Sequence, residues 1–132
     1  MRWRIAYRAV FCALGVWLAA TACLQAAGFP RTVVDVTGRA LRLEAPPRRI
    51  VSTFLGADEI VLSLVDRSRV AMVTTFAQDP ASSFVVAAAQ GIRAVQNINA
   101  ETIVALKPDL ILVNRFSNPE VVEQLIALGQ PV

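Results

Sequence analysis

From residue 49 onward, short apolar runs alternate with stretches of helical spacing. Arg49 to Ser52, Val70 to Thr74 and Leu110 to Val113 read as buried strands, because little polar alternation interrupts their apolar residues. Gly56 to Val65 reads as a helix with Asp58 and Glu59 in its first turn, where carboxylates suit the helix dipole. Asn99 to Leu106 reads as a short helix stopped by Lys107-Pro108-Asp109. Asn118-Pro119 supplies an N-cap and a first-turn proline for a helix with an apolar face of Val121, Val122, Leu125 and Leu128, and Gly129 stops it. Pro131-Val132 reads as the start of another strand.

The segment before this alternation has a different period. Thr32 to Val36 is rich in β-branched residues and runs into the turn pair Thr37-Gly38; Ala40 to Leu43 then alternates, and Pro46-Pro47 closes the pair. A hairpin is predicted there. The alanine-rich stretch from Ala81 to Ala89 fits a loop with a short helix. Strands without polar alternation, each followed by a helix, predict an α/β fold: a three-layer sandwich with a mainly parallel sheet covered on both faces.

Charge changes the picture at the front of the chain. Of the 132 residues, thirteen are Lys or Arg and ten are Asp or Glu. Three of the arginines, Arg2, Arg4 and Arg8, precede an apolar run of fourteen residues from Ala9 to Ala22. A basic start, a short apolar middle and a small-residue end predict a secretory signal peptide over residues 1 to 22, since about 20 apolar residues are needed to span a bilayer. Ala20-Thr21-Ala22 suits signal peptidase and would leave Cys23 first, as in a lipoprotein whose cysteine carries lipid, although Ala20 stands where such signals carry Leu. Cleavage as late as Ala26 or Ala27 is the alternative, with Cys23 discarded. Residues 23 to 30 are expected to be a linker, and the domain to begin at Arg31. Without residues 1 to 22, ten basic and ten acidic side chains balance. That balance removes the main argument for nucleic-acid binding.

Composition narrows the chemistry. With no His and two Cys, Cys12 and Cys23, most zinc sites, Ser-His-Asp and Cys-His nucleophiles and a disulfide framework are excluded. Parallel sheets bind ligands at the carboxyl ends of their strands. There the sequence places Ser52-Thr53-Phe54, Thr75-Phe76 and Asn114-Arg115-Phe116, three clusters that each set hydroxyl or amide groups beside an aromatic ring. Their recurrence points to a small-molecule face. No catalytic residue, metal ligand or cofactor is expected, because glycine-rich phosphate loops and convergent acid-base pairs are missing and Asp58-Glu59 are merely adjacent.

The segment from Asn99 to Ile111, NAETIVALKPDLI, closely resembles a signature of the periplasmic binding proteins that serve ABC importers of iron-siderophore complexes, haem and cobalamin. Pro47-Arg48-Arg49-Ile50-Val51-Ser52 is similar to that family's first core strand, Asp58, Glu59 and Leu62 to its next helix, Asp79-Pro80 to a loop, and Asn118 to Val132 to the helix ending in Leu-Gly-x-Pro-Val. The resemblance spans residues 31 to 132. It implies the N-terminal lobe of a two-lobe clamp, with the second lobe absent from this sequence, hence a fragment. It also implies that Ser52, Thr53, Phe54, Thr75, Phe76, Asn114, Arg115 and Phe116 line the ligand cleft, and that Glu101 pairs with arginines of the membrane permease. Arg115 would pair with a carboxylate or phosphate of the ligand.

Val95 stands where some cobalamin binders place Trp, and Tyr7, the one tyrosine, falls in the signal, whereas haem binders often set a Tyr on iron. A ferric siderophore therefore leads, with cobalamin and haem as alternatives. The implied partners are a metal chelate and an ABC permease. The protein is expected to be a periplasmic or lipid-anchored monomer, touching membrane only through its signal or lipid. Two competing readings are a truncated relic or interaction module without transport, and an α/β enzyme.

Overall fold

A computed structural model describes residues 28 to 132. The predicted hairpin is present as β1 (Arg31–Val34) paired antiparallel with β2 (Ala40–Leu43), Arg31 opposite Leu43. Its first strand ends earlier than Val36, because Asp35 starts the turn. The Asp35 carboxylate accepts hydrogen bonds from the Thr37 and Arg39 amides at 2.8 and 2.9 Å.

The remaining strands, β3 (Ile50–Ser52), β4 (Val70–Thr74), β5 (Arg93–Val95) and β6 (Leu110–Leu112), form one parallel sheet in the order β5-β4-β3-β6. β3 lies between two neighbours and is buried throughout, which explains its unbroken apolar character. β5 was not predicted. It is only three residues long, opens on a charged residue and is half-exposed, so it leaves no apolar run in the sequence.

Helices cover both faces. On one, α1 (Leu55–Leu64) and the short α2 (Val86–Ala89) enclose Ile50, Val61, Val70, Val73 and Ala89; on the other, α3 (Ala100–Ala105) and α4 (Pro119–Ala127) enclose Val51, Met72, Ile103, Ile111 and Leu125. Ile50 and Val51 thus feed opposite cores, and with the β3–β4 register irregular between them, Val70 and Val73 join one core and Met72 the other. Met72, Ile103, Ile111 and Leu125 are fully buried, each worth about 1.5–3 kcal/mol of apolar transfer.

The caps read in the sequence form. Asn99 accepts from the Thr102 amide at 2.8 Å, and Asn118 from the Glu120 amide at 2.9 Å. α4 ends in a Schellman turn, with Gly129 at φ +67°, its amide bonded to the Ile126 carbonyl and the Gln130 amide to the Leu125 carbonyl. Beyond it, the Ile111 amide donates to the Pro131 carbonyl at 2.8 Å. The last residues therefore lie along the outer flank of β6, as a first step of strand pairing. Among the described residues, no helix is long and apolar enough to cross a membrane.

Candidate functional site

The parallel register sets Ser52 opposite Leu112 and Thr74 opposite Val95, so all four strands finish along one edge. The three clusters read in the sequence follow from that edge together. Thr53 locks it: both its amide and its hydroxyl donate to the Leu112 carbonyl, at 3.2 and 2.8 Å. Phe54 is half-buried at the start of α1. Thr75 and Phe76 stand exposed on a single 3-10 turn, Thr75–Gln78.

Asn114 organises the third cluster. Its side-chain oxygen accepts from the Phe116 amide at 2.9 Å, while the Ser117 hydroxyl accepts from the Asn114 amide at 3.0 Å. The turn holds Arg115 and Phe116 outward, the guanidinium 4.6 Å from the centre of the Phe116 ring. Such stacking keeps the cation poised without an acidic partner.

Ser52 differs from the other seven residues. It is fully buried beneath the rim, its hydroxyl donating to the Phe54 carbonyl at 3.3 Å. Beside it lies Asp58, which sequence reasoning assigned to the helix dipole. Asp58 is 0% exposed, and one of its oxygens accepts from the Thr74 hydroxyl at 2.5 Å and the Thr74 amide at 3.1 Å. The other oxygen, Oδ1, has no hydrogen-bond partner among the described residues. Burial pushes its pKa up from the ordinary 3.8, against the hydrogen bonds from Thr74 that favour the charge. The helical spacing of Asp58 with Val61, Leu62 and Val65 was the available signal that it faces inward.

Phe84 was also missed, because it lies in the alanine-rich stretch read as a loop with a short helix, away from any predicted strand end. Glu59 accepts from its amide at 3.1 Å and so ties the loop to α1. Phe84 is 98% exposed, Phe116 78% and Phe76 51%. Phe76 and Phe116 thus follow strand ends directly, whereas Phe84 stands on the loop tied to α1.

A pocket of about 120 Å³ opens beside Thr53, between the sheet edge and α3 and α4, walled by Ile98, Val113, Ser117 and Val121. Glu101 is exposed in the first turn of α3 and borders an apolar groove formed with Val104, Ala105, Ala127 and Leu128. Cys23 and the predicted signal and linker boundaries up to residue 27 lie outside the described residues.

No family model matches the chain. A vitamin B12-binding protein of Yersinia pseudotuberculosis is 32% identical over 105 residues, covering 78% of this chain and 36% of its own length. The molybdate periplasmic binding protein MolA of a Haemophilus influenzae ABC transporter superposes with a TM-score of 0.63 at 18% identity, over 77% of this chain and 33% of that one. This is the periplasmic-binding-protein fold. The heme binding protein HmuT gives a TM-score of 0.59 at 22% identity, over 79% of this chain and 33% of its own. The resemblance to periplasmic binding proteins, read from residues 31 to 132, is thus met in fold by these structures and in sequence by the vitamin B12-binding protein. The chain spans about a third of the length of these relatives.

Proposed function

We propose that this chain is the N-terminal lobe of a solute-capture protein for an ABC importer, and that the strand-end rim is one wall of its ligand cleft. The observation that carries the reading is the convergence of Thr53-Phe54, Thr75-Phe76 and Asn114-Arg115-Phe116 on one sheet edge. Exposed rings offer flat apolar contact, while threonine hydroxyls and Arg115 offer directed polar contact; together they suit a large, partly anionic metal chelate.

The pocket beside Thr53 is too small for such a ligand, since drug-sized sites run from about 300 to 1,000 Å³. A second wall is therefore part of the proposal. Ser52 and Asp58 support the rim from below rather than touching the solute. Glu101, with the apolar groove beside it, is the surface offered to the permease, where an arginine would make a bidentate contact. The reading is one of binding and delivery without reaction, in the periplasm, after removal of the signal.

The sequence relatives named for vitamin B12 put cobalamin first among the ligands to test, ahead of the ferric siderophore favoured by residue types alone. Titration of the protein carrying its second lobe with cyanocobalamin, followed by amide chemical shifts, is expected to move Thr53, Phe54, Thr75, Phe76 and Asn114 to Phe116. A ferric siderophore, studied as its gallium analogue, and a diamagnetic haem analogue provide the other arms. If none of the three shifts the rim signals, or if the shifts gather elsewhere, the reading fails.

A further inference from the structure

We propose that the opposite edge of the sheet docks on a membrane surface bearing anionic phospholipid headgroups. Each parallel strand is entered through basic residues: Arg48 and Arg49 before β3, Arg67 and Arg69 before β4, Arg93 at the start of β5, and Lys107 before β6. Six of the ten cations in residues 28 to 132 thus share one edge. Four strands about 4.8 Å apart spread them over roughly 14 Å, a face rather than a pocket.

The carboxylates at this edge, Asp66 and Asp109, are already engaged. Asp109 accepts from the Arg48 and Arg49 amides at 2.7 and 2.8 Å, and Asp66 from the Ser68 amide at 2.8 Å. Among the described residues the ion pairs are Arg39 with Asp35 and Arg42 with Glu44, both on the hairpin. Among the described residues none of the six edge cations forms a direct ion pair, although Arg67 and Arg69 lie close enough to Asp66 to help hold its pKa down.

Three of them are held in place by backbone carbonyls. Arg49 Nε donates to the Leu106 carbonyl at 2.8 Å, Arg69 Nε to the Pro47 carbonyl at 2.7 Å, and the Arg67 guanidinium to the Gln90 carbonyl. Leu106 and Gln90 close α3 and α2, so these arginines also answer the negative ends of two helices. Each guanidinium keeps further N–H groups for phosphate oxygens. Arg48, Ser68, Arg69 and Pro46 line a shallow concavity in this edge.

The hairpin brings the incoming chain to the same end. Arg31 pairs with Leu43, four residues before Pro47, and the hairpin's far end is bonded through Arg39 to the Val132 carbonyl. A lipid on Cys23 would add a second anchor, since one acyl chain binds only marginally by itself. This departs from the expectation that membrane contact is confined to the signal or lipid. The rim for solute and Glu101 would then face away from the bilayer during capture, and the molecule would leave this surface to present Glu101 to the permease.

Flotation of the full chain with vesicles tests this. Vesicles of phosphatidylcholine containing phosphatidylglycerol are expected to carry the protein at low salt and to release much of it at about 0.5 M sodium chloride. Replacing Arg48, Arg69 and Lys107 by Gln should weaken that binding roughly a hundredfold, at about fivefold per cation. Val36→Glu, at the fully exposed far end of the hairpin, should change it less than about twofold. Arg2, Arg4 and Arg8 are common to all variants, so the differences report this edge. Binding unaffected by the triple substitution, or equal binding to phosphatidylcholine alone, overturns the proposal. So does saturation of the edge by inorganic phosphate without capture by either vesicle.

Discussion

The two edges of the parallel sheet are built from the same four strands yet carry opposite chemistry. At the carboxyl ends, exposed phenylalanines, threonine hydroxyls and a stacked arginine stand over a buried carboxylate. At the amino ends, cations crowd together with little exposed aromatic surface. Strand polarity sets this division. In a strand-helix-strand unit, helix N-termini collect at the carboxyl edge and helix C-termini at the amino edge, so cations are welcome at the latter. The aspartates differ in the same way: burial raises the pKa of Asp58, whereas hydrogen bonds from Ser68, aided by Arg67 and Arg69, lower that of Asp66. Balanced charge by count thus hides strong separation in space.

The comparison can be broken most severely from below the rim. Leu125→Ala removes a fully buried side chain that also walls the small pocket, and should cost about 2–5 kcal/mol in urea unfolding while leaving the basic edge chemically unchanged. Thr74→Val should cost about 1–3 kcal/mol, because it strips a hydroxyl donor from a buried carboxylate.

Asp58→Asn separates charge from shape. Because folding raises the Asp58 pKa, the folded state holds its proton more firmly than the unfolded chain. Its favourable contribution is therefore full below about pH 3.8 and is lost as pH rises through the folded-state pKa. Measured by denaturant titration, wild type should lose stability relative to Asp58→Asn over that rise. Asp35, Asp66 and Asp79, whose pKa values are lowered, behave oppositely: they contribute above pH 3.8 and lose that contribution as pH falls through their folded-state values. A flat wild-type minus variant difference would show that Asp58 is not held against its charge.

Two smaller effects sharpen the contrast. Asp109→Ala frees the Arg48 and Arg49 amides and should cost about 1 kcal/mol in the same unfolding measurement. Arg115→Ala should change stability by less than about 0.5 kcal/mol, since the side chain is exposed, while weakening binding of an anionic chelate in titration calorimetry. A stability loss as large as that of Thr74→Val would make Arg115 a structural residue.

Much of the scaffold was legible because its signals are local. Asn99 and Asn118 announce helix starts, Gly129 a helix end, and the Ile-Val and Leu-Ile-Leu runs the central strands. β5 was illegible because an edge strand of three residues needs neither an apolar run nor alternation; its partner β4 supplies the hydrogen bonds. The rim clusters were legible from strand ends. The depth of Ser52 and the inward turn of Asp58 were not, because both depend on how α1 lies across β3 and β4. The basic edge was written just before each strand, but summing charges over the domain erased it.

The bond from Ile111 to Pro131 also bears on how copies of this protein avoid one another. It covers part of the β6 flank and leaves β5 as the more open side of the sheet. That side begins with Arg93, is only three residues long, and so presents a brief, charged template. Two molecules meeting there would oppose like charges before they could zip, which is how short natural edge strands resist aggregation.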